Sequence, residues 1–295
     1  MRELLLPVST FHRVFDTVPV QEVVTLPELV AALRRFELRP QLLASIQREI
    51  GRARRSVQRA KAGLHAAGRY APRLKKAAEQ ARREGMNVEQ TLDALGLELE
   101  ADARKDAKKD LRIWSPTLYR TGADKRGGDN VTHLSCLVLD YDDGTSIDDA
   151  SEVWSKYFHI VHTTWSHTAE HPRFRVVLPL GHLVLAREWG RVWAWAEEKA
   201  RRAIDPALKN PSSTYALPAV PNPNWPREAF SRPGALLSPA DEGIVDERPE
   251  IDLHPMRPTD GGPSILRGED PSRHYLDHDD ARTIHFVDDG WEDDG

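Results

Sequence analysis

The sequence predicts an α+β fold with a mixed or antiparallel sheet, interrupted by a helical insertion and closed by an acidic, disordered tail. Three observations predict it. Strand and helix patterns mix in two segments, residues 1–38 and 109–238. Between them, residues 39–108 are rich in Ala, Arg, Glu and Lys and carry no strand signal. From about residue 239 onward hydrophobicity falls and acidic residues accumulate, the composition of a disordered segment.

Taken in order, residues 3–8 read as a short strand entering a turn and Val20 to Leu26 as extended chain. Leu29, Val30, Leu33 and Phe36 then fall at helical spacing. In the insertion, Leu42, Leu43, Ile46, Ile50, Val57 and Leu64 mark a long amphipathic helix. A second helix runs through Leu74, Ala77, Ala78 and Ala81, Gly85-Met86-Asn87 breaks it, and a third opens at Val88. Strands follow at Ser135–Leu139, His159–Thr164, Phe174–Leu178 and around Thr214–Leu217. Asp148–Lys156 and Ala186–Ala203 read as helices, the latter with Trp189, Val192, Trp193 and Ala196 on one core face.

The single cysteine, Cys136, lies in an apolar run and reads as a small core residue; with no disulfide available, the chain suits the cytoplasm. No apolar stretch approaches the roughly 20 residues of a membrane span, and the N-terminus lacks a signal-peptide core. The net charge of -5 hides a division: from Asp241 to the end there are 17 acidic and 5 basic residues, so the rest is net positive. A positive body suits a polyanion such as nucleic acid. Between Arg48 and Arg83 stand 12 basic and 2 acidic residues, so Arg54, Arg55 and Arg59 are candidate phosphate contacts, with a solvated helical surface as the alternative.

The chemistry concentrates in three stretches. LSCLVLDYDDG, Leu134 to Gly144, is an apolar strand ending at Asp140, Asp142 and Asp143. Asp140 and Asp142 share one face of an extended chain and Asp143 points away. Two like charges on one face suit a hard cation between them, or else form an acidic turn. The second stretch, HIVHTTWSHTAEHPRFRVVLPL, brings Ser166, His167, Arg173 and Arg175 to strand ends, donors suited to a triphosphate. His159-x-x-His162 invites zinc, but the two rings point to opposite faces of a strand and no cysteine stands near. The third stretch, AIDPALKNPSSTYALPAVPN, holds Asp205 at a helix end before proline.

Together, LVLDYDDG, TTWSHTAEHPRFRVVLPL and IDPALKNPSSTYALP resemble the three motifs of the archaeo-eukaryotic primase superfamily, in the branch of phages, plasmids and integrated elements. The lead-in from Lys108 to Val131 is similar as well, so the resemblance spans about residues 108–225 and, more weakly, 1–38. It implies that Asp140, Asp142 and Asp205 hold Mg2+ or Mn2+. It implies that His167 with Ser166 contacts the phosphates of an incoming nucleoside triphosphate, assisted by Arg173 or Arg175. The implied chemistry is two-metal nucleotidyl transfer on a single-stranded DNA template.

Two departures stand out. Where relatives carry an arginine in a Pro-Ser-Arg run, this chain has Pro211-Ser212-Ser213, and residues 39–108 replace a shorter connection. No P-loop is present, so unwinding would fall to a separately encoded helicase, if any. Three other readings stay open or fail. A non-catalytic primase-fold replication initiator or regulator accommodates the missing arginine and the basic insertion. A haloacid dehalogenase-type phosphatase would use Asp140 as nucleophile and Asp142 as acid, but an extra Asp precedes Gly144. An EF-hand fails because Gly144 is out of register.

Overall fold

A computed structural model of the chain describes residues 3–64, 68–253, 266 and 274–276. It divides into two compact units, one made of Met1–Leu38 with Arg112–Gly295 and the other of Arg39–Leu111.

The first unit opens with β1 (Leu5–Phe11) and β2 (Val20–Thr25), followed by α1 (Leu26–Arg34) and β3 (Phe36–Leu38). Thr25 caps α1: its hydroxyl accepts from the Glu28 amide at 3.3 Å while the Glu28 carboxylate accepts from the Thr25 amide at 2.7 Å. After the second unit (α2, Pro40–Lys61; α3, Ala71–Glu84; α4, Val88–Lys108) come β4 (Ile113–Ser115), β5 (Thr117–Tyr119) and β6 (Val131–Tyr141). Next are α5 (Ile147–Val153), β7 (His159–Thr163), β8 (Phe174–Leu185) and α6 (Trp189–Lys199). Four short strands close the described chain: β9 (Tyr215–Ala216), β10 (Ala219–Val220), β11 (Ala229–Arg232) and β12 (Tyr275–Leu276).

The fold is α+β. Strands β11-β7-β8-β6-β5 form a five-stranded sheet and β2-β1-β4-β9 a four-stranded one, with every neighbouring pair antiparallel. In a third, small sheet β3 pairs parallel with β10 and antiparallel with β12. Both faces of the five-stranded sheet are buried, which is why its strands read as continuous apolar runs. On one face Leu137, Leu139, Tyr141, Val176 and Leu178 pack with Trp154 and with Trp189, Val192 and Trp193 of α6. On the other, Cys136, Val138, Ile160 and Val177 pack with Leu29 and Leu33 of α1 and with Trp114 and Tyr215 of the four-stranded sheet. The phosphatase reading needs an α/β repeat; β6 instead lies between two antiparallel neighbours.

One expectation needs correction. Residues 239–253, assigned to the disordered tail, are built onto the first unit. Ile244 and Val245 are buried in the main core, and Leu253 packs with Val23 and Leu183. Their acidic neighbours find bases: Asp246 pairs with Arg191 at 2.7 Å, and Glu247 with Arg187. Low average hydropathy conceals a few well-placed apolar residues. The remainder of that tail, apart from 266 and 274–276, lies outside the described residues.

In the second unit α2, α3 and α4 pack around Ala53, Val57, Tyr70, Leu74, Leu92 and Leu99. Gly85 ends α3 in the left-handed region at φ 67°, which a side chain would strain. The Asn87 side chain then accepts from the Gln90 amide at the start of α4. Basic α2 and α3 meet acidic α4: Lys61 pairs with Glu89 and Asp93, and Arg73 with Glu98 and Asp102.

Candidate active site

The antiparallel register of β6 and β8 sets the site. Asp140 lies directly opposite Arg175, and Tyr141 opposite Phe174. Side chains alternate across the sheet, so Asp140 and Arg175 share the face that carries Cys136 and Val138, against which Tyr215 packs. The Arg175 Nη2 donates to Asp140 Oδ2 at 3.2 Å and Nη1 donates to the Ala216 carbonyl at 2.8 Å. Its guanidinium carbon stands 5.6 Å from the centre of the buried Tyr215 ring. One step further out the pattern repeats more loosely: Arg173 and Asp142 approach to 3.9 Å, both about half exposed. Asp143 instead accepts from the Thr145 amide at 3.0 Å within its own turn, where Gly144 adopts φ 98°.

His167 sits in the turn between β7 and β8. The Thr164 amide donates to the Arg173 carbonyl at 2.9 Å, and the His167 amide to the Thr164 carbonyl at 3.0 Å, closing the turn. The Arg173 amide donates to His167 Nδ1 at 3.2 Å. In the neutral ring this places the hydrogen on Nε2, leaving an N–H donor. The imidazole is 8% exposed, and burial holds its pKa below the ordinary histidine value. Ser166, half-buried, precedes it.

Asp205 arrives by a backbone turn that its sequence does not announce. After α6, Arg201 and Arg202 adopt φ 51° and 63°, left-handed conformations uncommon outside glycine. The turned chain lays the Asp205 amide on the Asp140 carbonyl at 3.0 Å. The Asp205 side chain caps the 3-10 turn that follows, accepting from the Ala207 amide at 2.9 Å. The structure thus brings the ends of all three motifs together: Asp205 to Asp140, Asp140 to Arg175, Asp142 to Arg173, and Arg173 to His167.

Among the described residues, no three or more His, Cys, Asp or Glu side chains form a ready-made metal-binding group. The donor chemistry nonetheless suits a hard cation. Among the described residues, Asp140 Oδ1 and Asp205 Oδ2 have no hydrogen-bond partner, and neither has either oxygen of Asp142. The candidate zinc pair, His159 and His162, is built into the core. His159 Nε2 bonds the Ser151 hydroxyl at 2.7 Å and Nδ1 faces the Tyr157 carbonyl at 2.8 Å. His162, fully buried, lies opposite Arg175 on β7, and burial followed by Arg175 repulsion lowers its pKa to about 3.

In the second unit, Arg54 makes a two-pronged pair with Glu100 at 2.7 and 3.0 Å, so its guanidinium ties α2 to α4. Arg55 and Arg59 instead line a cavity with Arg52 and Arg69. Sequence reasoning placed Arg175 with the phosphates and missed its direct opposition to Asp140; only the strand register reveals it. It also missed Arg126, whose guanidinium donates to the Thr214 hydroxyl at 3.3 Å, just beyond the Pro211-Ser212-Ser213 run that lacks an arginine.

No protein-family model matches the chain, and no curated protein matches it. Among solved structures, the chain is similar to the AEP domain of the primase-polymerase of cyanophage S-2L. That similarity has 15% identity and a TM-score of 0.35, over 50% of this chain and 75% of that one.

Proposed function

We propose that this chain is a primase-polymerase-type nucleotidyltransferase that joins nucleoside triphosphates on a single-stranded DNA template. The observation that carries the reading is the hydrogen bond from the Asp205 amide to the Asp140 carbonyl. It brings the Asp205 backbone beside the strand end that bears Asp140, which supports reading the three aspartates as one site. His167 Nε2–H and the Arg173 guanidinium, on the adjoining turn, are donors for a triphosphate. Arg175 holds Asp140 in place from the neighbouring strand.

Asp140, Asp142 and Asp205 would hold Mg2+ or Mn2+, using their unengaged oxygens and turning from their present partners. The chemistry a bound ion would supply there is a lower pKa for a primer 3′-hydroxyl and charge neutralisation on the departing pyrophosphate. The chain's own residues position the carboxylates and donate to the phosphates.

A second reading is a DNA-binding initiator or regulator without synthesis. The pairing of Asp140 and Asp142 with arginines favours it, since like charges so neutralised need no cation. Nucleotide incorporation on a single-stranded template, with and without primer, in magnesium and in manganese, separates the two. Incorporation that disappears in Asp140→Ala/Asp142→Ala is expected. No incorporation in either metal, with DNA binding that survives the double substitution, would select the second reading.

A further inference from the structure

The second unit has a cavity of about 590 Å³ lined by Arg52, Arg55, Arg59, Arg69, Glu49 and Tyr70, with Ser56 and Gly68 completing the wall. Four arginines line it with one glutamate. The wall is organised from within. Glu49 pairs with Arg52 and, at 2.9 Å, with Arg69, and it accepts from the Tyr70 hydroxyl at 2.9 Å. Arg69 lies over the Tyr70 ring, 4.9 Å from its centre. The Ser56 hydroxyl donates to the Arg52 carbonyl at 2.9 Å. Both hydroxyls are therefore committed to the wall.

Arg55 is the key group. It has no carboxylate partner among the described residues, unlike Arg54 beside it, Lys61 and Arg73. Its guanidinium lies back along α2 over Gly51, where an added Cβ would meet Nη1 at 3.3 Å. A glycine within a helix costs about 1 kcal/mol relative to alanine.

We infer that this cavity binds a compact oligophosphate, either inorganic or the triphosphate of a nucleotide. The excess of guanidiniums over carboxylate matches a ligand carrying three to four negative charges, and arginine forks match phosphate oxygens two at a time. Its volume lies within the range of small-molecule sites, about 300–1,000 Å³, and its concave form suits a compact anion better than a rod-like backbone. The inference does not depend on the polymerase reading, because no residue of this cavity belongs to the three motifs.

Titration calorimetry on the full chain tests it, with inorganic triphosphate, ATP and a single-stranded oligonucleotide as separate probes. His167→Ala/Arg173→Ala is the background, so that the first site does not contribute. Triphosphate affinity should fall about tenfold or more in Arg55→Ala/Arg59→Ala. It should stay within about twofold in Arg54→Ala, whose guanidinium is held by Glu100. Inorganic triphosphate binding as tightly as ATP would identify the phosphates as the whole determinant, and tighter ATP binding would add the nucleoside; either supports the site. Unchanged triphosphate affinity in the Arg55/Arg59 variant, with its circular dichroism intact, would overturn the inference. So would binding of the oligonucleotide alone.

Discussion

Arg175 and Asp140 face each other across the β6–β8 pair, with Nη2 and Oδ2 3.2 Å apart and side chains only 11% and 19% exposed. The pair lies on the face of the five-stranded sheet that carries Cys136 and Val138. The first and second of the three motifs meet in this pair.

This pair should be measurable in stability as well as in activity. Arg175→Met leaves the Asp140 carboxylate without its donor, and Asp140→Asn leaves Arg175 without its charge. Each should destabilise the chain by about 1–3 kcal/mol. A double-mutant cycle by chemical denaturation should return a coupling of about 1–2 kcal/mol. Additive effects within 0.3 kcal/mol, roughly the limit for independent sites, would show that the two side chains do not support each other.

His162 predicts an acid limb in stability. Its pKa is lowered to about 3, first by burial and then by Arg175 repulsion. The unfolded chain takes up that proton first, near the ordinary histidine value. The stabilisation is therefore complete above about pH 6.5 and is lost as pH falls toward 3, by up to about 1.4 kcal/mol per pH unit. His162→Phe removes this titration, so between pH 6 and 4.5 its unfolding free energy should depend less steeply on pH, by close to one proton. Equal slopes in the two proteins would contradict the assignment.

Tyr141 stands between Asp140 and Asp142, stacked on Phe174 with ring centres 5.0 Å apart. Its hydroxyl accepts from the buried Trp154 indole at 2.9 Å. Tyr141→Phe orphans that N–H and should lower stability by about 1–2 kcal/mol. If denaturation shows no loss, the indole has found another acceptor.

Gly234 has no room for a side chain. A Cβ there would lie 2.4 Å from the Tyr157 carbonyl carbon and 2.6 Å from the Phe158 amide nitrogen. Backbone cannot swing aside as a side-chain tip can, so Gly234→Ala should cost about 3 kcal/mol or more. A thermal midpoint within a degree of the parent would mean that the Tyr157–Ala235 bridge shifts freely.

Much of the fold is legible in the sequence because periodicity is a local property. The strands at Ser135–Leu139 and His159–Thr164, the helix bearing Trp189 and Trp193, and the break at Gly85 all appear in the structure near their expected places. The tail is less legible, because composition averages over residues and cannot see that Ile244 and Val245 have a core to enter.

The sequence by itself determined the α+β class and the same-face placement of Asp140 and Asp142. It also determined which residue types gather at strand ends. These follow from the two-residue repeat of a strand and the 3.6-residue repeat of a helix, which act over a few neighbours. Only the tertiary structure decided that Arg175 opposes Asp140, that Asp205 reaches the Asp140 backbone through the left-handed turn at Arg201 and Arg202, and that Arg54 joins two helices while Arg55 faces a cavity. Strand register and helix packing set those relations between residues distant in the chain, and no local pattern encodes them.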